Sequence, residues 1–175
     1  MSRCSTANYL EAVSQRDGVD QLIEQWERER PDLEFGAMGT IGRLGRVMGL
    51  LTASIEDVLA EHGLTIADFD VLATLRRGGA PYVMRPTDIS RLLMLSPAGM
   101  TNRLDRLDGL GLVARSPDPN DRRSWLIQLT DEGLRRVDAA VADHVANEER
   151  LLAPLSESQR QALDKALRAL LAGLS

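Results

Sequence analysis

The sequence predicts a mainly helical fold with one small β-hairpin, and three observations carry that reading. Apolar residues recur at helical spacing in seven separate stretches between residues 19 and 174. Apart from a very short run at Tyr82-Val83-Met84, strand-like runs are confined to Leu112–Arg115 and Trp125–Leu129, far too little strand for an α/β nucleotide-binding fold. Most helical stretches are bounded by residues that start or stop helices, so their ends are set by local chemistry.

Val19, Leu22, Ile23 and Trp26 follow i, i+3, i+4, i+7 spacing and form a short amphipathic helix before Pro31. A long helix from Met38 to Glu61 follows, with Ile41, Leu44, Met48, Leu51, Ile55 and Val58 on one stripe. It also contains Gly39, Gly42, Gly45 and Gly49. Each glycine costs a helix interior about 1 kcal/mol, so close approach of another helix must compensate. Gly63 ends this element. Thr65, with Asp68 three residues on, makes a capping box for a helix reaching Arg77. Gly78-Gly79-Ala80-Pro81 is a turn, and Tyr82-Val83-Met84 a very short strand. Pro86 suits the first turn of a helix covering Thr87–Met94. Ser96-Pro97 caps the next, which ends near Gly109–Gly111. The two strand-like runs flank Pro117-Asp118-Pro119-Asn120-Asp121, read as a longer hairpin loop rather than a tight two-residue turn. Thr130 caps a long helix to Leu152, and Pro154 breaks it. Ser156 with Gln159 opens a final helix bearing Leu163, Leu167, Leu170, Leu171 and Leu174.

Two helices joined by a tight turn and followed by a hairpin make a winged helix-turn-helix. Residues 1–35 read as an N-terminal extension with one amphipathic helix, and 36–175 as the winged-helix domain. Within it, 64–130 form the expected DNA-binding lobe, and 36–62 and 131–175 the dimerisation helices. The outer helices are too apolar along one edge to face water alone. An intertwined homodimer would bury them and match the two-fold symmetry of a palindromic nucleic-acid site.

The net charge of -5 is distributed unevenly. Residues 76–123 hold nine arginines against five aspartates, while the stretches on either side are acidic. An acidic body with a basic middle is the footprint of one lobe facing phosphate. No apolar run approaches the roughly 20 residues that span a bilayer, and the N-terminus lacks a secretory signal pattern, so a cytoplasmic location and no membrane partner are expected. Cys4, the single cysteine, excludes an internal disulfide framework. His62 and His144 are far apart in sequence, and there is no metal-ligand cluster, phosphate loop or nucleophile motif. We therefore expect no catalytic activity, no metal and no cofactor.

On a helical wheel of residues 97–109, Met100, Leu104 and Leu107 share one face. Ala98, Asn102, Asp105 and Arg106 occupy the other, with Thr101 at its edge. That outer face holds what base readout requires: Asn for adenine, Arg for guanine, and small apolar groups beside thymine methyls. A solvated helix face can look similar, but here a hairpin ending in Arg122 and Arg123 follows directly. An arginine on such an arm can enter a minor groove, where narrow A·T tracts concentrate negative potential.

These residues carry a resemblance. Leu64-Thr65, Asp70-Val71-Leu72, Thr87-Asp88-Ile89-Ser90, Met100-Thr101-Asn102-Arg103-Leu104, Gly111-Leu112-Val113, Asp121-Arg122-Arg123 and Leu129-Thr130 with Gly133 resemble the MarR family of multiple antibiotic resistance regulators. The resemblance implies a homodimeric winged-helix repressor binding double-stranded DNA and relieved by small anionic or aromatic ligands. It places the helix after Ser96 in the major groove, and an arginine of the wing, Arg123, in the minor groove with Asp121 orienting it. The extra N-terminal helix with Trp26, together with Asp70, is similar to the urate-responsive branch. By that match the effector, urate-like or an aromatic acid, is held by Trp26, Asp70, Arg115, and Thr101 or Arg103. Asp70 has no cation at i+3 or i+4, where Ala73 and Thr74 stand, so Arg115 is its expected distant partner. A carboxylate favoured by a helix N-terminus is the alternative reading of Asp70, and core packing the alternative for Trp26. Two other functions stay in view: a winged helix used only for protein contact, and a thiol-based redox regulator using Cys4.

Overall fold

The computed structural model describes residues 16–119 and 121–174, apart from the side chains of Arg122 and Arg123. Cys4 lies outside the described residues. The elements run α1 Gly18–Glu29, α2 Gly36–Glu61, α3 Ile66–Arg77, β1 Val83–Met84, α4 Pro86–Leu92, α5 Pro97–Gly109, β2 Val113–Asp118, β3 Asp121–Leu129, α6 Asp131–Leu152 and α7 Glu157–Leu174. They fall into two compact units, residues 1–52 and 53–175, whose boundary lies inside α2.

The first unit is built by α1 lying along the first half of α2. Asp17 caps α1: its carboxylate accepts from the amides of Val19 (2.7 Å) and Asp20 (3.0 Å), and its own amide donates to Asp20 (2.8 Å). Arg43 of α2 reaches back to Asp17, Nε to Oδ2 2.8 Å, and also to Asp20. Two of the four α2 glycines explain themselves by contact. A Cβ on Gly42 would stand 3.4 Å from Val19, and one on Gly39 3.6 Å from Ile23. At Gly45 and Gly49 a Cβ would meet nothing within 4 Å among the described residues. Trp26 stacks on Phe35, centroids 6.0 Å apart at 24°. Val19, Leu22, Trp26, Met38, Ile41 and Arg46 line an open apolar cleft of about 340 Å³.

The second unit has one core. Val71, Leu72 and Leu75 of α3 sit at its centre with Leu59, Ile89, Leu107, Leu112, Ile127 and Val137, all essentially without solvent exposure. Helix starts follow the expected chemistry. The Thr65 hydroxyl accepts from the Asp68 amide (3.1 Å) while Asp68 accepts from the Thr65 amide (2.9 Å). Thr130 accepts from the Gly133 amide (2.9 Å). The three strands are antiparallel in the order β1-β3-β2, with Val83 opposite Gln128 and Val113 opposite Leu129.

The hairpin departs from expectation. Its strands extend to Asp118 and Asp121, with a register shift between Pro117 and Asp118, so the connection is two residues rather than a long loop. Pro117 does not end the strand because β2 is the sheet's edge, where a missing N–H costs no ladder bond. No residue of α7 is buried; Leu163, Leu167, Leu170 and Leu171 all face outward. Among the described residues no helix is long and apolar enough to cross a membrane.

Candidate nucleic-acid interface

The helix-turn-helix is α4, its turn and α5. Pro86 starts α4 with no side-chain cap, and Ile89 anchors it in the core. The turn closes with Met94 in the left-handed region (φ 52) and the Leu95 amide donating to Ser90 at 2.9 Å. Ser96 then caps α5, its hydroxyl oxygen accepting from the Gly99 amide at 3.2 Å. Met100, Leu104 and Leu107 are buried as the wheel predicted, which turns Ala98, Thr101, Asn102, Asp105 and Arg106 outward. The Thr101 hydroxyl donates to the Pro97 carbonyl at 3.1 Å, so its methyl is the part left to a partner.

The C-terminal half of α5 is engaged differently from its start. Arg106, expected to read guanine, stays half exposed but is tied to the protein: its Nε donates to both oxygens of Asp68, at 3.1 and 3.0 Å. The Asp68 side chain is 1% exposed. Burial pushes its carboxyl upward, yet the Thr65 amide and hydroxyl and the Arg106 guanidinium outweigh that and hold it below the ordinary aspartate value. Asp105, on the other flank, pairs with Arg115 of β2, which also lies 3.4 Å from Asp108.

That arrangement corrects one expectation. Arg115 pairs with aspartates of α5, and among the described residues no ion pair joins it to Asp70. Arg115, half-buried two positions after the buried Val113 and so on the same face of β2, lies where α5 packs against that strand, which makes the aspartates of α5 its near partners. Asp70 is half-buried on α3, and Arg103 half-buried on the flank of α5. Trp26 belongs to the first unit, where it is 45% exposed at the mouth of the apolar cleft.

The wing is tied to the helix-turn-helix through residues the sequence reading did not single out. Arg85, between β1 and α4, donates from Nε to Asp118 at 2.7 Å, and the Asp118 side chain is 2% exposed. Asp121 accepts from the Ser124 hydroxyl at 2.6 Å. The side chains of Arg122 and Arg123 lie outside what the structure describes, so the orienting of Arg123 by Asp121 does too. A cation immediately before the helix-starting Pro86 was the available signal for Arg85; Asp118 was visible only as a turn residue. Asp68 was read as a cap and nothing more.

The chain matches known proteins over this region and beyond. The sequence profile described as the MarR family matches residues 62–124. The HTH-type transcriptional regulator PecS of Dickeya dadantii is 43% identical over 154 residues, covering 88% of this chain and 89% of that protein. AbsC, a MarR family transcriptional regulator from Streptomyces coelicolor, has a similar solved structure: TM-score 0.73 at 28% identity, covering 81% of this chain and 96% of that one. A mutant MarR from Escherichia coli complexed with operator DNA superposes with TM-score 0.68 at 26% identity, covering 78% and 97%.

Proposed function

From the premise that this chain belongs to the MarR family, we propose that it is a transcriptional repressor that binds a palindromic DNA operator as a homodimer and is released by a small effector. The observation that carries this is α5, with an apolar face buried in the core and Ala98, Thr101 and Asn102 presented outward directly before a hairpin ending in arginines. Asn102 suits the N6 and N7 edge of adenine, and the Ala98 and Thr101 methyls suit thymine. Ser96, whose hydroxyl proton is not used by the cap, suits a phosphate at the helix N-terminus. Arg122 and Arg123 suit the minor groove and its walls. A solved relative of this fold, the mutant MarR from Escherichia coli, is complexed with operator DNA, which supports operator binding as the activity.

Dimerisation is supported by the outward leucines of α7, a stripe of Leu163, Leu167 and Leu170 with Leu171 beside it that water alone does not accommodate. For the effector, the reading is an anionic aromatic molecule of the urate type. Asp70, Arg103 and Arg115 offer charge on the second unit. Arg115 suits a planar anion because its guanidinium is already posed for carboxylate partners, Asp105 and Asp108. An anion taking Arg115 would strip those contacts from the recognition helix, and the effector shifts binding only by its preference for the altered state.

The test is fluorescence anisotropy with a fragment selected by the protein from a randomised DNA pool, titrated with and without urate. Selection of a palindrome, with binding weakened by urate, supports the whole reading. No enrichment over random DNA refutes regulation by operator binding, and enrichment without a urate response refutes the urate effector alone.

A further inference from the structure

The recognition helix is held from both sides at its C-terminal half. Asp105 and Arg106 are neighbours in sequence yet pull in opposite directions, one to Arg115 of the wing strand and the other to Asp68 of α3. The Asp68 end is unusually well defined. One buried carboxylate accepts the Thr65 amide (2.9 Å), the Thr65 hydroxyl (2.8 Å) and Arg106 Nε on both oxygens. A carboxylate this enclosed cannot exchange its partners for water, so breaking the Arg106 contact is costly and its geometry is correspondingly rigid. The buried residues of α5 are Met100, Leu104 and Leu107, one narrow face, so the fine setting of its roll about its own axis falls to the polar contacts on its flanks. Such contacts specify one arrangement among several of similar apolar burial.

We propose that Arg106 is a positioning residue, which fixes the roll of the recognition helix through Asp68 and so sets base selectivity without itself reading a base. The proposal rests on the DNA-binding reading above. It divides α5 into a reading half, from Ser96 to Asn102, and a strapped half, from Asp105 to Asp108. A helix whose roll is loose presents Asn102 and Thr101 at the wrong angle to every base pair at once. A lost base reader instead relaxes one position of the operator and its symmetry mate.

Arg106→Met, Asp68→Asn, the double variant and Thr65→Ala are compared with wild type on the selected operator, on single base-pair substitutions of it, and on random DNA. Melting temperatures are recorded in parallel. Arg106→Met and Asp68→Asn should each lose roughly tenfold in operator affinity, and the double variant no more than either, because the pair acts as one unit. Discrimination should shrink at all contacted base pairs together, with random-DNA binding kept. Thr65→Ala should lower the melting temperature through the lost cap but keep operator discrimination. Arg106→Met relaxing one symmetry-related base pair while Asp68→Asn has no effect would make Arg106 a reader and overturn the proposal. Additive losses would overturn it too, as would Thr65→Ala reproducing the whole effect. If wild type itself shows no preference for an operator, the regulator reading fails first and takes this one with it.

Discussion

Gly133→Ala tests how tightly the wing strand is seated on the long helix α6. Gly133 is buried in the first turn of α6, and a Cβ built on it would stand 1.9 Å from the Leu112 carbonyl oxygen and 2.9 Å from its carbon. That same carbonyl accepts the Thr130 amide at 3.1 Å. Intrinsic propensity favours alanine over glycine in a helix by about 1 kcal/mol. Opposing this, overpacking a core costs about 1–3 kcal/mol, and more where neither side can yield. Here both sides are backbone, and relief requires displacing either the α6 N-terminus or the α5–β2 joint. Displacement also weakens the Thr130–Leu112 hydrogen bond, a net contribution of about 1 kcal/mol. The balance is a destabilisation of about 2–4 kcal/mol. For a chain of 175 residues each kcal/mol shifts the melting temperature by roughly 2–4 °C, so a fall of about 5–15 °C is expected. Thermal unfolding followed by circular dichroism, with a urea titration at fixed protein concentration, measures it. A melting temperature equal to or above wild type would refute the reasoning, because propensity would then have outweighed an overlap that cannot relax.

Three further outcomes are expected. Asn102→Ala should cost about 1–3 kcal/mol at one base pair, leave the salt dependence of binding unchanged and preserve the fold, measured by anisotropy over a salt series. Arg85→Ala should weaken operator binding, because it takes one charged partner from the buried Asp118 carboxylate; unchanged affinity would show that the wing does not depend on this tie. In the first unit, the hydrogen bond from Arg43 holds the Asp17 carboxyl at about 2, below its usual 3.8. That stabilisation is complete above the ordinary value and is lost as pH falls from about 4 towards 2. Protection factors of the α1 amides, with exchange referred to the intrinsic rate at each pH, should therefore fall across that range in wild type and be already low in Arg43→Ala at neutral pH.

What the sequence made legible followed from short-range rules. Caps at Thr65, Ser96 and Thr130, the stop at Gly63 and the spacing of Met100, Leu104 and Leu107 depend on neighbours within a turn or two, and the structure has them where expected. The partners of Arg106 and Arg115 did not follow. Asp68 is 38 residues from Arg106, and only the packing of α3 against α5 brings them together. Arg115 could have served Asp70, Asp105 or Asp108 by charge alone. The wheel placed Asp105 and Arg106 on one outer face, but a wheel carries no information about which neighbours flank that face. The hairpin was read as a loop because two prolines weigh against strand in any local count; the edge position that tolerates them is a property of the sheet, not of the segment.

The short strand β1 has a consequence for how letters are spaced on DNA. It pairs with β3 of the wing at Val83 and Met84, and two residues later the chain starts α4, with Arg85 between them holding Asp118. Two ladder pairs and an ion pair to a buried carboxylate thus tie the hairpin to the helix-turn-helix and stiffen the joint between them. Inserting one base pair between the contacts of the wing and those of the helix rotates one target about 35° relative to the other along the duplex. A jointed reader would follow that rotation at small cost. On the proposed reading, a stiffened joint would make the protein give up part of its minor-groove or major-groove contact, and helical phase would then count in operator choice alongside base identity.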